Sequence, residues 1–151
     1  MFNHAPNGYD CPICVAVQGI ESDNTLIRKS DILFKNNVVM VFIASFFITG
    51  SEGHLIVVPV KHFEHIYDLP DEIGNQISAT VRRFSLEMKQ KYACDGLNIV
   101  QNNEPAAGQH AFHYHVHLFP RYNGVDLWSQ MGTKRLATQA ERATFAAKFR
   151  S

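Results

Sequence analysis

The 151-residue sequence predicts an α+β protein with a mainly antiparallel sheet, one long helix and a C-terminal helix. Three observations lead there. Short β-branched apolar runs alternate with turn residues, which is the pattern of strands. One long segment repeats its apolar residues at helical spacing. The order of these segments is hairpin, strand, long helix, two strands and tail, which suits antiparallel pairing of sequential strands. Hydrophobic residues make up 46% and charged residues 19% of the chain. That is globular composition, and the length fits a single domain over residues 1–151, with its core at about 9–128.

The elements follow in order. "ILFKNNVVMVFIA" (32–44) reads as a hairpin turning at Asn36 and Asn37. "HLIVVPV" (54–60) is a second short strand, closed by Pro59. Ile73, Ile77, Val81, Phe84, Met88 and Tyr92 recur every three or four residues and form one apolar stripe on a helix. Pro70 suits its first turn, Asp71 and Glu72 favour the positive end of its dipole, and Gly96 lies just past its end. "GLNIVQNN" (96–103) and "HYHVHLFPR" (113–121) read as two strands joined by a turn-rich loop. Thr138 and Glu141 form a capping box for a tail helix over about 138–149.

Composition also excludes. With 14 basic and 14 acidic residues, no charge excess advertises nucleic acid as a partner. The N-terminal ten residues lack the charge and apolar core of a signal peptide. The longest apolar run, 38–48, is too short for a bilayer, which takes about 20 residues. No membrane association and a cytoplasmic location are the expectation. Three cysteines, Cys11, Cys14 and Cys94, argue against a disulfide framework and for thiol or metal chemistry. Cys94 reads as a small buried hydrophobe, and His4 and His65 as surface residues.

"HYHVHLF" (113–119) places three of the eight histidines at every second position. In a strand His113, His115 and His117 share one face, about 6.6 Å apart along the chain. Tyr114, Val116 and Leu118 then take the other face, against the helix stripe. Three solvated histidines in such a frame would be a coincidence. "CPIC" (11–14) is open to three readings: a redox pair, two structural thiols, or half of a tetrahedral zinc site that needs two more ligands.

His-Tyr-His-Val-His-Leu-Phe resembles the signature of the histidine triad (HIT) family. "AAGQ" before it, "PR" after it and "GHLIVVPVKH" upstream resemble further family elements in family order, so the likeness covers roughly 9–128. The resemblance implies a HIT-like fold and nucleotidyl hydrolase or transferase chemistry at the α-phosphate of a nucleoside phosphate derivative. Catalytic residues would be His115 as nucleophile, His117 on the phosphate and leaving group, and His54 in support. A neutral imidazole suits attack at pH 7, and in the family a backbone carbonyl of the same strand fixes its tautomer. Substrate contacts would come from Asn102, Gly108, Gln109, His110 and His117. The CxxC resembles that of the Hint-type branch, which implies a structural zinc on Cys11, Cys14, His62 and His113, with His65 a weaker competitor for His62. It implies no catalytic metal, a homodimer, and a purine nucleotide or nucleoside phosphoramidate as partner. Two positions depart from the family. Phe46 stands where an acidic residue usually holds the ribose, with Ser45 beside it, and His110 replaces a hydroxyl residue. The competing expectations are a non-enzymatic nucleotide- and zinc-binding module, a dinucleoside polyphosphate hydrolase, and a catalytic metal on the three histidines, which splay too far for one ion.

Overall fold

The computed structural model describes residues 2–151. In chain order its elements are α1 (Pro12–Val17), β1 (Ile32–Lys35), β2 (Val39–Ile43), β3 (Phe46–Phe47), β4 (Leu55–Pro59), α2 (Asp71–Tyr92), β5 (Gly96–Gln101), β6 (Val116–Arg121), β7 (Arg135–Leu136) and α3 (Gln139–Arg150). Five strands form one antiparallel sheet in the order β1-β2-β4-β6-β5, and β3 pairs with β7 in a separate two-stranded ladder.

The hairpin forms because Asn36 closes it with its own side chain: Oδ1 accepts the N–H groups of Val38 and Val39 at 2.8 and 2.7 Å. β2 is buried along its whole length, so it reads as a continuous apolar run. Its residues nonetheless divide by parity. Val39, Val41 and Ile43 join Leu55, Val57, Val116 and Leu118 under the α2 stripe of Ile77, Val81, Phe84, Met88 and Tyr92. Met40, Phe42 and Val58 face the other way and pack on Cys11, Ile13, Ala16 and Val17. The sheet therefore has an α2 face and an N-terminal face.

α2 stops differently from the expectation. Its last cap is Ala93 in the left-handed region, at φ 50°, and Gly96 instead opens β5. Pro70 is the residue before the helix, where it needs no N–H partner. α3 opens on the capping box expected of Thr138 and Glu141. It is pinned by a pair that local sequence does not announce. The buried Arg142 donates from Nε to the fully buried Asp31 at 3.0 Å, and from Nη1 to the Ala137 carbonyl at 2.8 Å. No described helix is long and apolar enough to cross a membrane.

Candidate active site and metal centre

β6 begins at Val116, not at residue 113. His113 sits in a bend and His115 just before the first paired residue, so the three imidazoles do not share one strand face. Only His117, paired opposite Ile56, follows strict alternation onto the N-terminal face of the sheet. The bend parts the neighbours: His113 turns toward the cysteines, and His115 toward a cavity of ≈ 570 Å³ that His54, His110 and His117 also line. Tyr114, Val116 and Leu118 pack under α2 as expected.

His113 and His115 are buried and His117 is half-buried, which a solvated face would not give. His115 donates from Nδ1 to the His113 carbonyl at 2.7 Å. A carbonyl only accepts, so the proton of the neutral ring is on Nδ1 and Nε2 keeps its lone pair. Ring centroids of His115 and His117 lie 4.9 Å apart, and those of His117 and His54 5.4 Å apart. Phe119 backs both His54 and His117, at 4.4 and 5.3 Å. Burial, then the charges of Lys134 and His115, push His54 down to about 3. Burial is also the main cause of the lowered values of His115 and His117. All three are therefore neutral at pH 7. Among the described residues, His54 Nδ1 and His117 Nδ1 are buried with no hydrogen-bond partner.

The loop before the triad carries Gly108 at φ +86°, where a side chain would be strained. Asn102, Gly108 and His110 line the cavity. Gln109, expected to contact substrate, does not line it. It is buried, accepts the Glu104 N–H at 2.7 Å, and donates to the carbonyls of Glu64 and Ala111 at 2.6 and 3.1 Å. The N–H groups of Gly108 and Gln109 are also engaged, by the carbonyls of Pro105 and Glu104. Gln109 is thus a brace inside the loop. Its amide satisfies three backbone groups, of which the Glu64 carbonyl bond is buried. Ser45 and Phe46 line the opposite wall with Lys134, a residue sequence reasoning passed over. Nothing in a loop lysine's local pattern distinguishes it from a solvated one.

The cysteines meet the other end of the triad. Cys11 caps α1, and its Sγ lies 3.4 Å from His113 Nδ1; Cys14 Sγ lies 3.3 Å from His62 Nδ1 and 3.5 Å from His113 Nδ1. All four ligand atoms fall within 4.8 Å of one another. A zinc tetrahedron with Zn–S of about 2.3 Å and Zn–N of about 2.05 Å has S···N edges of roughly 3.6 Å. The donor set therefore fits zinc in kind and in spacing. His113 supports the fit from behind, donating from Nε2 to the Pro59 carbonyl at 2.9 Å, which leaves Nδ1 free to ligate. Burial and the adjacent Cys11 push the Cys14 thiol up to about 12, the opposite of a redox-active thiol.

Two histidine expectations resolve differently. His4 is exposed and meets Glu104 at 2.9 Å. His65 is not a surface residue: it is 1% exposed, packed on Tyr67 with ring centroids 4.6 Å apart. Residues 61–65 are irregular rather than helical, so His65 does not share a face with His62 and stands outside the cluster. Cys94 is buried near the helix end, as expected.

The chain belongs to the HIT family: the HIT domain pattern matches residues 27–124. Among individual proteins, it is 37% identical over 76 residues to protein hit of Bacillus subtilis, which covers 50% of this chain and 52% of that protein. It is 34% identical over 71 residues to the adenosine 5′-monophosphoramidase of Saccharomyces cerevisiae, covering 47% of this chain and 42% of that one. The matched stretch spans only about half of each of these relatives. Solved structures share the fold at lower identity. A Hit-like protein involved in cell-cycle regulation from Bartonella henselae superposes with a TM-score of 0.78 at 21% identity, over 93% of this chain and 94% of that chain. A zinc-bound histidine triad protein from Mycobacterium smegmatis gives 0.73 at 24% identity, with the same coverage.

Proposed function

We propose that this chain is a nucleotidyl hydrolase or transferase, acting at the α-phosphate of a nucleoside phosphate derivative of phosphoramidate type. The observation that carries the reading is the bond from His115 Nδ1 to the His113 carbonyl, which leaves Nε2 as a lone pair beside His117 and His54. His115 Nε2 forms a bond to phosphorus while the bond from phosphorus to the leaving amine breaks, and that amine takes the electron pair and a proton from solvent. Water then attacks the nucleotidyl-histidine and releases a proton to solvent, the N–P bond breaks, and Nε2 recovers its lone pair. His117 contacts the phosphate, and His54 keeps the neighbourhood neutral. Asn102, Gly108 and His110 border the substrate. The named activity of the yeast relative supports this reaction class.

Zinc on Cys11, Cys14, His62 and His113 completes the reading as a structural ion with four protein ligands and no open position. The spacing of the donors and the zinc-bound relative support it. We further propose one domain over the chain, a cytoplasmic setting consistent with three free cysteines, and a homodimer.

The test is incubation with an adenosine phosphoramidate, followed by intact-mass spectrometry for adenylylated protein and assay of released AMP. His115→Gly should abolish both while leaving the fold intact. Retention of more than a few per cent of the wild-type rate by that variant sinks the covalent assignment. Absence of any turnover or adduct in the wild type favours a binding module instead.

A further inference from the structure

His115 lies outside the ladder that holds the rest of its strand, because Val116 is the first residue of β6 to pair with β4 and β5. Residues 112–114 are held from elsewhere. The Phe112 N–H donates to Tyr9 Oη at 3.2 Å, and the two rings meet edge-on with centroids 5.6 Å apart. The Tyr114 N–H donates to the Phe63 carbonyl at 2.6 Å. Between these anchors the His113 ring stands against Cys11 and Cys14, and edge-on to His62 at 4.9 Å. Tyr9 lies just before Cys11 in the chain, and Phe63 follows His62 directly. Both anchors therefore belong to segments that carry the metal-site residues.

A thiol is a weak hydrogen-bond partner, so Sγ···Nδ1 contacts of 3.3, 3.4 and 3.5 Å fix these rings loosely. Metal–ligand bonds fix them firmly and draw the N-terminal arm and the irregular 61–65 stretch onto one centre. The His113 main chain extends that constraint to the triad. Its ring is tied on one edge toward the cysteines and on the other to the Pro59 carbonyl at 2.9 Å. Its own carbonyl is the acceptor that keeps the His115 proton on Nδ1, at 2.7 Å. Once that carbonyl turns away, nothing holds the proton there, and a ring protonated on Nε2 has no lone pair at that atom to attack with. We propose that His113 is a positioning residue: a metal held by Cys11, Cys14, His62 and His113 sets the His113 carbonyl, the carbonyl sets the His115 ring, and occupancy of the cluster thereby governs the rate of the covalent step. This rests on reading the cluster as a zinc site and His115 as the nucleophile.

Nitrogen-15 labelling of the histidines in the full chain, with proton–nitrogen correlation spectra recorded with and without zinc, reads the tautomer directly. His115 is assigned by the signal lost in His115→Gly. Zinc-loaded protein should show one His115 tautomer, with its proton on Nδ1. Metal-free protein that is folded by circular dichroism should show a mixture, and added zinc should restore the single form. Turnover of an adenosine phosphoramidate should follow, with kcat about tenfold lower without metal and KM changed by less than about threefold. His62 is exposed, so His62→Ala loosens the cluster with Cys11, Cys14 and His113 in place; it carries the same comparison where the metal-free chain does not stay folded. Phe84→Leu lowers stability from the α2 face of the sheet and should keep both kcat and the tautomer. A loss of either in that variant would assign the effect to stability and overturn the proposal. So would metal-free protein with the tautomer and kcat of the loaded form. Failure to bind zinc overturns it together with the four-ligand reading. Where zinc binds but no substrate turns over, the reaction reading fails and the tautomer decides: dependence on zinc upholds the positioning role, and independence removes it.

Discussion

Arg142→Met removes the cation from the Asp31–Arg142 pair and leaves a carboxylate that is 0% exposed without its partner. Methionine keeps much of the volume, so the cost is mainly electrostatic. Asp31 would still accept the Arg28 N–H at 2.8 Å, which covers one of its two oxygens. The Ala137 carbonyl loses its donor as well. Breaking a buried pair on one side typically costs about 3–5 kcal/mol. For a chain of this size, ~1 kcal/mol moves Tm by about 2–4 °C, so the variant should melt roughly 6–20 °C lower. Urea titration followed by circular dichroism gives the loss in free energy. The double variant Asp31→Leu with Arg142→Met removes the stranded charge and should recover most of the loss. A single variant within ~1 kcal/mol of wild type would refute the reasoning, as would a double variant no more stable than the single one. The first would mean that water reaches Asp31, and the second that packing rather than charge sets the cost.

Three further outcomes are expected. His54 takes a proton at 6.5 when unfolded but only near 3 when folded, so the unfolded state is the better base between those values. Its contribution is constant above the unfolded value and falls by ~1.4 kcal/mol per unit as pH drops below it, about 2 kcal/mol by pH 5. In urea titrations across pH, His54→Leu should flatten the slope by that amount, and an unchanged slope would show the ring already protonated in the fold. Zinc at a thousandfold excess over its Kd should stabilise the protein by ~4 kcal/mol. Chelator should reverse this and Cys14→Ser should abolish it, while the residual folded protein still turns over; purified protein that binds no zinc by elemental analysis defeats the four-ligand site. Ala93→Gly relieves the left-handed cap of α2 and should stabilise by about 1 kcal/mol, measured as a rise in the urea midpoint without a change in m.

Local pattern was a good guide wherever local physics decides. The α2 stripe, the Asn36 turn and the Thr138 capping box each arise from residues within a turn or two of one another, and each lies where periodicity or capping chemistry puts it. The Cys₂His₂ cluster was legible for another reason: Cys-x₂-Cys is a rare spacing, and the family likeness supplied its histidines. Features set by distant partners were not legible. Alternation alone extended β6 back to His113, but Val116 is the first residue to find a partner on both neighbouring strands, and the cysteines sit beside His113 instead. Gln109 has the polarity of a ligand contact, and only the backbone groups around it reveal that it faces inward. Asp31 and Arg142 lie 111 residues apart, and neither carries a signal of the other. β3 and β7 are two residues each, too short for any period to register.

The parity of the central sheet divides how the protein can fail. On β2, β4 and β6, one set of alternate residues supports α2, and the other faces the N-terminal segment, the histidines and the cavity. If His117 acts on the phosphate as proposed, neighbouring positions such as Val116 and His117 answer to different demands although a single peptide bond separates them. Val116 can drift among aliphatic residues of similar volume, and its damaging variants should be recovered by lowering the temperature. His117 has no such neighbourhood of tolerated replacements, and its variants should remain defective in a cold, fully folded protein. Across Val116, His117 and Leu118 of β6 the expected kind of lesion therefore changes from thermal to chemical and back within three residues.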